Sequence, residues 1–160
     1  AEQAEWIAGL KKTEMWNKAA FRVVLSHYPL SLLGGGDQVW FRPFFEEVLN
    51  DSSQKGRIHA FIAGHEHVQM RRDPNSAAVK ITKPHKSIPP VSDKLNFLEL
   101  VQEQNGAMTM EVAPQRLVFK AHRWRDAAVT LKDHFEVTPD GKVEDLMEVE
   151  VFANPPPAAR

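Results

Sequence analysis

Ile58-His59-Ala60-Phe61-Ile62-Ala63-Gly64-His65-Glu66-His67 is the stretch from which the fold of this 160-residue chain is best read. Ile58, Ala60, Phe61, Ile62 and Ala63 form a short, nearly continuous apolar run, and Gly64 stops it. A run of that length and composition predicts a strand buried on both faces, as in a parallel sheet covered by helices. It delivers two imidazoles, His65 and His67, one residue apart. If the backbone stays extended there, a period of two turns both side chains to one side. Neutral imidazole is the commonest metal ligand, so the pair reads as half of a metal site. A second stretch repeats the design: Phe21-Arg22-Val23-Val24-Leu25 is apolar in outline and ends in Ser26-His27-Tyr28-Pro29. Open α/β sheets place their chemistry beyond the carboxyl ends of their strands. Two strands that both end in histidine predict one shared site, with the strands parallel and adjacent.

Composition bounds what that site can be. Hydrophobic residues at 42% and charged residues at 26% are the balance of a globular domain with a real core. Twenty Lys and Arg against 21 Asp and Glu leave a formal charge of −1, so no global field draws the chain to nucleic acid or anionic lipid. Cysteine is absent, which removes disulfides and thiolate metal sites and leaves His, Asp and Glu as ligands. No apolar stretch approaches the ~20 residues that span a bilayer. The chain opens on Ala1 without a basic-then-apolar leader, as a processed or trimmed sequence would.

Outward from the two histidine-ended strands, Ala1 to about Ala20 reads as one helix, with Trp6, Ile7 and Leu10 at helical spacing and Glu2 and Glu5 near its start. Gly34-Gly35-Gly36-Asp37 reads as a loop, since it lacks the Lys-Ser/Thr of a phosphate-binding loop. Val39 to Asn50 predicts a helix striped by Trp40, Phe44 and Val48. Met70 to Pro90, polar and broken by prolines, reads as a long loop with one short strand at Ala78–Thr82. Strands are expected at Ala107–Val112 and Arg116–Ala121, and at Ala128–Val137 paired with Val143–Phe152 across Pro139-Asp140-Gly141. Residues 153–160 are a Pro/Ala-rich tail, expected to be poorly ordered.

Other chemistry fails on spacing or has a plainer reading. His65-Glu66 opens an H-E-x-x-H motif, but Gln69 stands at its fifth position. No G-x-S-x-G elbow occurs. His59 lies inside a strand, where a packing role is simplest, and His85, His122 and His134 need no role beyond hydrogen bonding. Lys120-Ala121-His122-Arg123-Trp124-Arg125 mixes basic and aromatic residues, and on one short strand it reads as a solvated edge.

Val24-Leu25-Ser26-His27-Tyr28-Pro29 followed by Ala63-Gly64-His65-Glu66-His67 resembles the last two metal motifs of the calcineurin-like metallophosphoesterases, and the purple-acid-phosphatase branch in particular. Gln3 and Trp6-Ile7 are similar to the Q-x-x-W-L helix that precedes the first of these strands, and Val68–Arg72 loosely echoes an aromatic-Glu-Arg stretch that follows the second. The likeness covers residues 3–72 and the later strands in outline. It implies an α/β fold that is part of a four-layer α-β-β-α sandwich, mostly β in its second half, with residues 1–152 the C-terminal portion of a catalytic domain. It implies two metal ions, Fe, Mn or Zn, with His27 and His65 on one and His67 on the other. The implied reaction is attack on a phosphoester by a metal-activated hydroxide.

The family's earlier motifs, D-x-H, G-D-x-x and G-N-H-D/E, do not occur in this chain. The resemblance therefore implies that the N-terminal half of the same domain is missing and that the isolated chain is a poor enzyme. A binding or scaffold module that keeps the α/β fold without a complete site is the alternative, and an unrelated α/β domain with structural histidines a third.

Overall fold

The structure, a computed structural model, describes residues 2–30, 49–51, 53, 55–76, 79–81 and 95–147. The Gly34–Asp37 loop, nearly all of the helix expected over Val39–Asn50, His85 and the tail over residues 153–160 lie outside them. What is described is mixed α/β, mostly strand, with two sheets and few helices.

The single helix expected over the first twenty residues is two, α1 (Glu2–Leu10) and α2 (Glu14–Lys18). Thr13 breaks them apart. Its backbone is extended, and its hydroxyl accepts from the Trp16 N–H at 3.2 Å, which caps α2.

The first sheet has the order β1-β2-β5-β3-β4, built from β1 (Val23–Leu25), β2 (Ala60–Ala63), β3 (Met70–Arg72), β4 (Val79–Ile81) and β5 (Leu98–Val101). β1 pairs parallel with β2, as predicted, with Val23 opposite Ala60 and Leu25 opposite Ile62. β5 pairs parallel with β2 on its other side, whereas β3 and β4 run antiparallel. The boundary expected at His67 between an α/β layer and a β half is thus not a boundary, because the chain returns to the first sheet until Val101. The long loop expected from Met70 also begins as strand. Arg71 and Arg72 concealed it: two adjacent arginines read as solvent-facing, yet they are 4% and 3% exposed.

The second sheet is antiparallel, in the order β6-β7-β8-β9, from β6 (Gly106–Ala113), β7 (Arg116–Arg125), β8 (Ala128–Val137) and β9 (Val143–Asp145). The predicted pairing across Pro139-Asp140-Gly141 is present, and Gly141 takes a φ of 81° that favours glycine. β7 runs on past its expected end at Ala121. A bulge between Ala121 and His122 shifts the register there, and the strand then turns into β8 through Asp126 and Ala127, both at positive φ. Lys120–Arg125 is therefore not on a sheet edge, since β6 and β8 flank it on both sides.

β2 is buried on both faces, as its continuous apolar run requires. Phe61 and Ala63 pack with Leu30, Leu49, Ile58, Leu95 and Phe97, against which Ile7 of α1 and Trp16 of α2 also lie. On its other face Ala60 joins Leu98 and Leu100 in a cluster with Leu117, Phe119, Phe135 and Val137, so the two sheets share one apolar interior. Full burial of a side chain such as Phe61 or Phe119 contributes about 2–3 kcal/mol. Arg71 also ties the sheets together. Its Nε lies 2.9 Å from Asp133 Oδ2, its Nη2 donates to Asp133 Oδ1 at 3.2 Å, and it pairs with Asp145 as well. Its guanidinium stacks 4.2 Å from the ring centre of Phe135. Burial pushes the Asp133 carboxyl up against the pull of Arg71.

Candidate functional site

The site forms because the parallel pairing of β1 and β2 continues past the ends of both strands. Ser26 N–H donates to the Ile62 carbonyl at 2.9 Å, and Gly64 N–H donates to the His27 carbonyl at 3.2 Å. These two bonds hold the exits of the strands side by side. His27 and His65 consequently meet, with Nε2 of one 3.1 Å from Nδ1 of the other and their ring centres 5.0 Å apart. Both rings are exposed. One donates and the other accepts, so a single proton serves the contact.

Beyond Ala63 the backbone does not stay extended, so the period-of-two argument for His65 and His67 does not hold. His65 has a φ of 69° and His67 of 53°, both left-handed. Glu66 N–H donates to the Gly64 carbonyl at 2.8 Å, which makes His65 the centre of the rare, strained form of γ-turn. Such strain in a non-glycine residue collects at functional positions. A Cβ at Gly64 meets nothing within 4 Å, and it is the histidines that turn.

His67 is exposed. Among the described residues no group of three or more His, Asp or Glu side chains is close enough to hold one metal ion. Glu66 borders the pair, its Oε1 4.0 Å from His65 Nε2.

Two residues that support the site carried little signal of it. Tyr28 packs its ring 4.4 Å from that of His65 and 4.8 Å from that of His27, bracketing both imidazoles. Glu99, fully buried on β5, accepts the Leu30 N–H at 2.6 Å and lies 3.7 Å from Arg72 Nη1. That bond anchors the backbone three residues after His27. The one available hint was a lone carboxylate inside the apolar run Phe97-Leu98-Glu99-Leu100-Val101, since a charge in a buried strand needs partners.

His59 has the packing role expected of it. It is 2% exposed, its Nδ1 accepts the Arg22 N–H at 3.1 Å, and the edge of Phe21 meets its ring. Arg22 is itself buried, donating to the carbonyls of Trp16 and Arg57, and burial lowers its proton affinity. Compared with known proteins, the chain matches no family model and no curated protein.

Proposed function

We propose that this chain carries the histidine side of a dinuclear metal centre in a phosphoester hydrolase, as its resemblance to the calcineurin-like metallophosphoesterases implies. The observation that supports this reading is the His27–His65 contact at 3.1 Å beyond two adjacent parallel strands. Two nitrogens that share one ion at about 2.0–2.1 Å stand roughly 3–3.4 Å apart, so the pair already has the separation of two ligands on one ion. Imidazole donors completed by carboxylates suit Fe, Mn or Zn.

In this reading His27 and His65 hold one ion and His67 the second. The remaining ligands come from the N-terminal half of the same domain, and the two sheets are the inner layers of a four-layer α-β-β-α sandwich. The ions, when bound, make water acidic enough to attack and neutralise charge on a phosphoester substrate. The residues of this chain hold and orient. The Ser26 and Gly64 backbone bonds fix the spacing of the imidazoles, Tyr28 restricts their rotation, and the Leu30–Glu99 bond keeps the segment after His27 in place.

The direct ring-to-ring hydrogen bond also suits the alternative, a non-catalytic binding or scaffold module, because the two imidazoles satisfy each other without an ion. Titration of the chain with Zn²⁺ or Mn²⁺, followed by calorimetry and elemental analysis, separates the two. The metallophosphoesterase reading expects about one ion held by His27 and His65, with His27→Ala or His65→Ala weakening it by roughly tenfold or more. Binding that is absent, or untouched by either substitution, would count for the module.

A further inference from the structure

Asparagine occurs at positions 17, 50, 75, 96, 105 and 154, and of these only Asn105 is followed by glycine. Asparagine is a thermolabile residue, and it reacts when the backbone nitrogen of the next residue reaches its side-chain carbon. Glycine obstructs that approach least, because it has no Cβ and its backbone turns freely.

The structure separates the asparagines further. Asn17 Nδ2 donates to the Thr13 carbonyl at 2.9 Å, and Asn50 Oδ1 accepts the Asn96 N–H at 2.7 Å. Asn75 Nδ2 donates to the Gly141 carbonyl at 3.5 Å, while the N–H of the following Ser76 donates to the Asp73 carbonyl at 3.1 Å. Asn96 precedes Phe97, which is buried, and Asn154 precedes Pro155, which has no N–H. Asn105 is exposed, and among the described residues no hydrogen bond holds its side-chain amide.

The backbone around Asn105 is held where its side chain is not. Its carbonyl accepts the Trp124 N–H at 2.9 Å, at the open end of the β6–β7 ladder. Bonded and non-bonded pairs alternate along an antiparallel ladder, so the N–H of Gly106, opposite Arg123, points away from β7. The attacking nitrogen therefore lies outside the ladder. Glycine is also required at this position, since a Cβ there would meet the His122 carbonyl oxygen at 2.6 Å and the Gln102 side chain.

We infer that Asn105–Gly106 is a self-modification site, which deamidates in the folded chain with water as its co-reactant. The Gly106 nitrogen bonds to the side-chain carbon of Asn105, and the bond from that carbon to Nδ2 breaks. The proton given up by Gly106 leaves on the released ammonia. Water then opens the five-membered imide at either carbonyl, which puts an aspartyl or an isoaspartyl residue at position 105. Either product adds one negative charge to the formal −1. The isoaspartyl product also lengthens the main chain by one carbon, and the carbonyl that accepts the Trp124 N–H becomes a pendant carboxylate. Gly106 packs too closely on His122 to absorb that carbon, so the start of β6 frays from β7.

Storage of the 160-residue chain in mildly alkaline buffer at body temperature, followed by peptide mapping, tests this. A gain of about one mass unit should appear at Asn105 before any other asparagine, as fragmentation of the peptides resolves. An isoaspartyl methyltransferase supplied with S-adenosylmethionine should label the aged chain. Asn105→Gln should lose that label, because glutamine closes the larger ring far more slowly. The folded chain should react within about tenfold of the rate in urea, as an exposed and unheld side chain does. In the aged chain, hydrogen exchange at the Trp124 N–H should quicken by about tenfold or more, with that of Phe61 on β2 unchanged. An earlier gain at another asparagine, conversion of Asn105 only in urea, or unaltered Trp124 exchange would each overturn the inference.

Discussion

His59 reaches Pro139, 80 residues along the chain, and lies 3.1 Å from its carbonyl oxygen. Because the Arg22 N–H already points at Nδ1, the proton of the neutral ring sits on Nε2 and is donated to Pro139. Protonating Nδ1 would set a donor against a donor. Burial holds the proton affinity of this imidazole below the ordinary value of 6.5, and the charges of Arg22 and Arg57 act in the same direction against the pull of the Pro139 carbonyl.

That sign makes His59 an acid-sensitive joint. Below about pH 6.5 the unfolded chain binds a proton that the folded site resists. The stabilisation is complete above that pH and is lost as pH falls towards the folded value. The melting temperature of the native chain minus that of His59→Gln should therefore shrink between about pH 8 and about pH 5. A difference that stays flat would show that His59 does not titrate with unfolding.

Truncation of the same residue, His59→Ala, should cost about 2–4 kcal/mol in urea unfolding at neutral pH. It opens a cavity and strands the Arg22 N–H and the Pro139 carbonyl. His65→Ala and His67→Ala, exposed beyond the strand end, should each cost well under that, about 1 kcal/mol or less.

Arg71→Ala should be among the most damaging substitutions, about 3–5 kcal/mol, because it leaves the buried Asp133 without its cation. The pair Arg71→Met with Asp133→Leu should recover most of that loss, since an apolar replacement carries no desolvation cost. A double variant as unstable as Arg71→Ala would mean that packing on Phe135, rather than charge, dominates.

Positive φ at His65 and Ala127 gives two backbone tests. Both positions disfavour a Cβ, by about 1 kcal/mol. His65→Gly should melt higher than His65→Ala, although both lose the imidazole, and a reversed order would argue against the strained turn.

Ala127→Gly should stabilise the β7–β8 hairpin by about 1 kcal/mol, because a two-residue connection with both residues left-handed prefers glycine. Thermal melting of the single variant decides it.

Much of this architecture was legible locally. The apolar runs at Val23–Leu25 and Ala60–Ala63 announced adjacent parallel strands, but only Ala60–Ala63 is buried, and Leu25 is 76% exposed. The alternation in Met108–Val112 and the Pro139-Asp140-Gly141 turn announced hairpins. The break at Thr13 was legible in principle as a capping residue, but helical spacing on both sides hid it. Asp126-Ala127 lacks the glycine that normally signals its turn, so β7 seemed to end early.

From its sequence alone, this chain determined that Ala60–Ala63 is a strand buried on both faces and that it and Val23–Leu25 both run into histidine, because periodicity and hydrophobicity are properties of neighbours along the chain. Tertiary structure alone decided that His27 meets His65 and that the backbone turns left-handed at His65 and His67, since both depend on how the two strand exits pack side by side. It alone decided that Met70–Arg72 is an interior strand. Arg71 and Arg72 can be buried there only because Asp133, Asp145 and Glu99 arrive from strands far along the sequence to meet their charges.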